Sequence, residues 1–148
     1  VGLAAVSGSV GWGRRLLPWV PVVAVMAMIF VLSSQSGLKV SEDPAVDKPF
    51  RVSGHLLAYA ALAGTSLVAL SRGRQPRLRD AAVALVIAVL YGLSDELHQS
   101  FVPDRTGRMD DVATDTVGAL IGIGIAWVVL TVGARSRVRS DDSREEAP

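Results

Sequence analysis

Four long apolar blocks constrain this chain before any single residue does. They are residues 16–33 (LLPWVPVVAVMAMIFVLS), 54–71 (GHLLAYAALAGTSLVALS), 81–94 (AAVALVIAVLYGLS) and 112–132 (VATDTVGALIGIGIAWVVLTV). Their lengths are 18, 18, 14 and 21, together 71 of 148 residues. A helix that crosses the hydrocarbon of a bilayer needs about 20 mostly apolar residues, with roughly 17–25 as the range. The first, second and fourth blocks meet this, and the third does if it continues through the polar run 95–101. None shows the polar stripe of a soluble amphipathic helix. A soluble bundle is set aside because too little polar surface remains to cover four such helices. The expected fold is all-α, a four-helix transmembrane bundle. Residues 1–15 form an N-terminal arm, 16–132 the membrane domain, and 133–148 (ending DDSREEAP) a disordered tail.

Composition closes several other routes. Half the residues are apolar and 20% are charged, which excludes disorder for most of the chain. With no cysteine there is no disulfide, CxxC zinc site, Fe–S cluster or thiol nucleophile. Fifteen Lys and Arg against fourteen Asp and Glu give +1, which argues against a nucleic-acid partner. Arg14 and Arg15 before an apolar stretch resemble a signal peptide, but SSQSG after it lacks an A-x-A cleavage site, so the first block is expected to stay as a span.

The connecting segments suggest an orientation. The arm carries Arg14 and Arg15 and no acid; the second connection carries Arg72, Arg74, Arg77 and Arg79 against Asp80; the tail opens with Arg135, Arg137 and Arg139. Residues 34–53 balance Lys39, Lys48 and Arg51 with Glu42, Asp43 and Asp47, and residues 95–111 are net acidic. Lys and Arg accumulate on the cytoplasmic side, so both termini are expected inside a bacterial cytoplasmic membrane. Trp12, Trp19 and Trp127 read as belt residues near the inner face.

In that topology the unusual polar residues meet at one level. Span one ends in Ser33, Ser34 and Gln35; span two begins with His55, with Tyr59 at i+4; span three ends in Asp95, Glu96, His98 and Gln99; span four begins with Asp110, Asp111 and Asp115. Arg105 and Arg108 lie between the last two. Asp95, His98 and Gln99 share a helical face, as do Asp111 and Asp115. Gly118 and Gly122 continue the second stripe as a GxxxG pattern, which lets helix backbones approach closely. An ionisable residue inside a span is costly and needs a partner; for Asp115 the candidates are His55, Arg105 and Arg108. Tyr59 is expected at interface depth, as an anchor or a site residue.

Carboxylate plus His supports general acid–base chemistry, with His55, Asp95, Glu96 and Asp111 in that role. Arg105 suits an anionic head group as a planar bidentate donor, and Gln99, Asp115, Ser34, Gln35, Tyr59 and His98 complete a binding set. These groups can also hold a divalent metal, but no H-x-x-x-H or H-E-x-x-H spacing is present and no cofactor is expected on that ground. The plainer reading is that the same groups cap helix ends and hold the bundle together. A small proton- or cation-coupled transporter is the other alternative; it would need an oligomer, since four helices leave little room for a path, and the sequence shows no internal repeat.

The chain resembles the VanZ-like family of small bacterial membrane proteins. The resemblance rests on FVLSSQ (residues 30–35), GHLLAYAAL (54–62) and, most closely, LYGLSDELHQSFVPDRTGRMDDVATDTVGALIG (90–122), in that order, and covers roughly residues 20–130. It implies the pattern D-E-x-x-Q, an aromatic, Pro, Arg, then D-x-x-x-(N/D)-x-x-G-x-x-x-G. Three positions depart from it. Val52 stands where the family often has Lys, with Arg51 adjacent and Lys48 upstream; Asp115 stands where Asn is common; and Asp104 stands where Gly is usual. The resemblance implies a cell-envelope role linked to low-level resistance to teicoplanin, a glycopeptide with an acyl chain, and hence membrane lipid, a lipid-linked cell-wall precursor or a lipoglycopeptide as partners. No settled activity goes with the family.

Overall fold

The structure is a computed structural model. It describes residues 13, 15–36, 41, 43–103 and 105–145, with side chains placed except at Pro44 and beyond Ser136. Most of the expected N-terminal arm, including Trp12 and Arg14, the turn residue Asp104 and the last three residues of the tail lie outside the described residues.

Four α-helices follow one another, and the described residues contain no strand. A single 3₁₀ turn, Leu17–Trp19, leads into α1, Val20–Ser33. Pro18 and Pro21 fall in the first turns, where a missing N–H costs nothing. The helix ends where Ser33 and Ser34 donate their hydroxyls back to the Phe30 carbonyl, at 3.1 and 2.6 Å. Such back-bonding satisfies terminal carbonyls that a continuing helix would otherwise use.

Helix α2, Pro44–Ser71, starts ten residues before the second apolar block. Asp43 caps it by accepting from the Ala45 N–H at 2.9 Å, with Pro44 at the first helical position and Asp47 in the first turn. It stops at Arg72 and Gly73, both at positive φ. In the connection, Arg74 holds Asp80 through both guanidinium nitrogens, at 2.7 and 2.9 Å, and Asp80 accepts the Arg77 N–H at 2.9 Å. This bond raises the Arg74 pKa above its ordinary value. Helix α3, Leu78–Gln99, therefore begins already tied to the end of α2.

Helix α4, Met109–Glu145, has 37 residues. It continues through the segment that the sequence reading leaves as a disordered tail. The backbone finds no proline before Pro148, and Ala134, Arg135 and Arg137 favour helix once the preceding turns have nucleated it.

Three stretches, Ala45–Ser71, Leu78–Gln99 and Met109–Ser136, are long and apolar enough to cross a membrane; Leu17–Ser33 is shorter. The surface matches that solvent. Leu57, Leu90, Ile125 and Val128 stand exposed, while the interior is built from Ala63, Ala69, Ala88, Ala119, Leu62 and Tyr59. Small groups inside and bulky apolar ones outside suit helices packed in lipid, where contact between backbones replaces the hydrophobic effect. The closest approach is between α2 and α4. A Cβ on Gly118 would meet the Leu56 backbone, and one on Gly122 the Ala60 carbonyl. The GxxxG pattern thus has the partner that it implies. Trp19 and Trp127 pack half-buried against the core.

Candidate functional site

The functional candidates gather where α1 and α3 end and α2 and α4 begin. Helices α2 and α4 run parallel, and two matched pairs set their register. Arg51 Nη1 donates to Asp111 Oδ2 at 2.7 Å, and His55 Nδ1 lies 2.8 Å from Asp115 Oδ1. Each pair is 60 residues apart in the chain. Arg51 and His55 are one turn apart, as are Asp111 and Asp115, so a single parallel alignment serves both. Of the three partners expected for Asp115, the structure selects His55. Both groups are enclosed: the Asp115 side chain is 1% exposed and that of His55 14%.

Helix α3 supplies the other wall. Asp95, Glu96 and Gln99 are buried. Gln99 Nε2 donates to Asp95 Oδ2 at 2.9 Å and more weakly to Glu96 Oε1 at 3.4 Å. Glu96 Oε2 accepts the Arg108 N–H at 2.6 Å, which folds the α3–α4 connection back over the site. Gly107 makes this return path, since a Cβ there would collide with the Glu96 carbonyl. Four carboxylates, those of Asp95, Glu96, Asp111 and Asp115, are thus buried at one end of the bundle. Among the described residues, Arg51 is the Lys or Arg side chain that pairs with any of them, at Asp111, while Asp115 meets His55. Burying a carboxylate without a partner is costly, so the arrangement calls for further positive charge or bound protons.

Arg105 is placed differently from its expected role toward a head group. Its Nε and Nη2 donate to the carbonyls of Gln35 and Leu32 at 3.1 and 3.3 Å, and its Nη1 donates to Gln99 Oε1 at 3.1 Å. The guanidinium therefore caps α1 and orients the Gln99 amide. Gln35 contributes its backbone, and its side chain is exposed. Ser34 and His98 join α1 to α3: Ser34 Oγ lies 3.0 Å from His98 Nε2, and the His98 ring stacks on Phe30 with centroids 4.7 Å apart. Since the Ser34 hydroxyl proton is directed to Phe30, Nε2–H is the donor of this contact.

Tyr59 is not an interface anchor. It is 1% exposed, inside the bundle one turn below His55 with its ring parallel to the imidazole. Among the described residues its hydroxyl has no hydrogen-bond partner, and neither has Asp115 Oδ2. A buried unsatisfied polar group costs about 1–3 kcal/mol, so two in one place is an expense that packing does not explain. Both flank Gly92: a Cβ there would come within 3.4 Å of Asp115 Oδ2 and of the Tyr59 ring.

The serine-ended first helix, the polar cluster and the glycine-packed fourth helix follow one another along a single stretch of the chain. The VanZ/LLP1 family model matches residues 18–130. The chain belongs to the VanZ/LLP1 family. No curated protein and no solved structure matches it. The matched stretch contains every residue of the cluster just described, from Ser34 to Asp115, together with the glycines that pack α4 on α2.

Sequence reasoning weighed Arg51 only as a stand-in for the family lysine at position 52. Its i, i+4 spacing to His55, repeated by Asp111 and Asp115, was the available signal. Gly92 was missed; it lies one turn before Glu96. A groove of about 410 Å³, lined by Pro18, Pro21, Gly64, Thr65, Gly122 and Ala126 among others, is apolar and holds none of the cluster.

Proposed function

We propose that this VanZ-like membrane protein lies in the bacterial cytoplasmic membrane with both termini inside, and that its polar end faces outward as a site for a lipid-linked or lipophilic ligand of the cell envelope. The observation that carries this reading is the convergence of Arg51, His55, Asp95, Glu96, Asp111 and Asp115, from three helices, on one end of an otherwise apolar bundle. Holding helix ends together requires capping groups and a few interhelical bonds. It does not require four buried carboxylates. A ligand with an apolar tail would approach through the lipid and present its polar part at this depth. The family link to teicoplanin, whose acyl chain fits such an approach, makes protection against lipoglycopeptides the phenotype to measure.

The test uses cells whose tolerance depends on the protein. Asp95→Asn, Asp111→Asn and Arg105→Gln are expected to lower teicoplanin tolerance at least fourfold at unchanged membrane abundance. Tolerance to a glycopeptide without an acyl chain should not move. Full tolerance in all three variants at normal abundance would remove the site from the function.

A further inference from the structure

We infer that His55, Glu96 and Asp115 form a binding site for one divalent transition-metal ion of the zinc or manganese kind. Each offers a ligand atom, one ring nitrogen or one carboxylate oxygen, and the three atoms lie within 4.8 Å of one another. The residues come from α2, α3 and α4, so the site exists only in the folded bundle. Metal–ligand bonds of about 2.0–2.2 Å set the donor atoms of a tetrahedral site about 3.4 Å apart, so the side chains close by up to about 1.4 Å on binding, through rotation about their own bonds. Nitrogen and carboxylate donors without thiolate suit zinc or manganese rather than a softer ion.

Two further observations point to a ligand here rather than to a chance meeting of acids. Asp115 Oδ2 is buried and, among the described residues, unpartnered, while its other oxygen holds His55. The Tyr59 hydroxyl, on the ring that borders Gly92, is likewise buried and unpartnered among those residues. Oδ2 lies against α3 at Gly92, one turn before Glu96, where a Cβ would come within 3.4 Å of it. The charges agree. Among the described residues neither Glu96 nor Asp115 pairs with a Lys or Arg side chain, because Arg51 is engaged with Asp111 and the Arg108 guanidinium with Asp110. With neutral His55, two carboxylates and a divalent cation sum to zero, the inexpensive charge state for a buried site. The inference rests on reading this end of the bundle as a binding site, and it adds what the site holds.

The experiment uses the full chain purified in detergent, stripped with a chelator, dialysed, and titrated with Zn²⁺ and with Mn²⁺ alone. We expect uptake of about one ion per chain by elemental analysis and a higher melting temperature. Co²⁺ loading should give visible bands of a nitrogen- and oxygen-ligated ion. His55→Ala and Glu96→Gln should each weaken binding at least tenfold. Asp110→Asn, at an exposed acid outside the cluster, should change it less than threefold. Should Asp115→Asn fail to fold, the His55 and Glu96 variants carry the comparison. Uptake below one tenth of an ion by folded protein, or equal affinity in His55→Ala, overturns the inference. No lipid or drug enters the titration. Its failure is therefore distinct from loss of the ligand reading, which the tolerance assay decides.

Discussion

At the scale of single residues, the Arg51–Asp111 pair separates holding the bundle from doing something in it. Arg51 is about a third exposed while Asp111 is buried, at a contact of 2.7 Å between parallel helices. Polar contacts between membrane helices contribute about 0.6 kcal/mol on average and up to about 2 kcal/mol. A double-mutant cycle with Arg51→Gln and Asp111→Asn, read from thermal unfolding in detergent, should therefore give a coupling of about 0.5–2 kcal/mol. Additive losses would show that the pair is a surface contact of little consequence. Much of this cluster was legible from sequence. Ionisable groups are so disfavoured inside and at the ends of apolar blocks that His55, Asp95, Glu96, Asp111 and Asp115 identify themselves, and helical spacing places them on shared faces. The destinations of individual side chains were not legible. Whether Arg105 reaches a ligand or the α1 carbonyls depends on the path of residues 100–108, and periodicity carries no information about a loop.

Among the elements, the contact of α2 with α4 sets the depth of everything above it. Leu56 and Ala60 on α2 meet Gly118 and Gly122 on α4 by backbone, below the two polar pairs. Gly122→Val would drive its side chain into the Ala60 backbone, which cannot yield as a flexible side chain can. Overpacking typically costs about 1–3 kcal/mol, and this site should reach the upper end or prevent folding. A Cβ on Gly124 meets nothing within 4 Å, so Gly124→Val should stay within about 0.5 kcal/mol of the parent. Melting temperature and monodispersity of the two variants decide the matter, and equal behaviour would contradict the packing. The stripe itself was readable from GxxxG. Where the helices begin was not, because an apolar block marks the part in lipid rather than the helix. Capped by Asp43, α2 starts at Pro44, ten residues above the block, and that early start brings Arg51 to Asp111.

For the whole molecule, charge divides by end. Arg15, Arg72, Arg74, Arg77, Arg79 and Arg135 lie at one end of the bundle with Asp80 among them. At the other end, among the described residues, Asp43, Asp47, Asp95, Glu96, Asp110, Asp111 and Asp115 outnumber Lys48, Arg51, Arg105 and Arg108. The basic end should therefore be cytoplasmic. Most of its arginines are exposed, available to anionic lipid head groups, whereas much of the acidic end is buried in the site. The orientation is checked by single cysteines, which meet no competing thiol because the chain has none. Gln75, exposed in the α2–α3 connection, is the inner probe. The outer probe should be the exposed Thr106 and not its neighbour Gly107, where any side chain would displace Glu96 from the site. In intact cells an impermeant maleimide should label Thr106→Cys and leave Gln75→Cys unlabelled until the membrane is opened. The reverse pattern would turn the polar site toward the cytoplasm, out of reach of an extracellular glycopeptide. The metal ligands would be unaffected by that reversal, since they depend on how the helices pack and not on which side of the membrane they face.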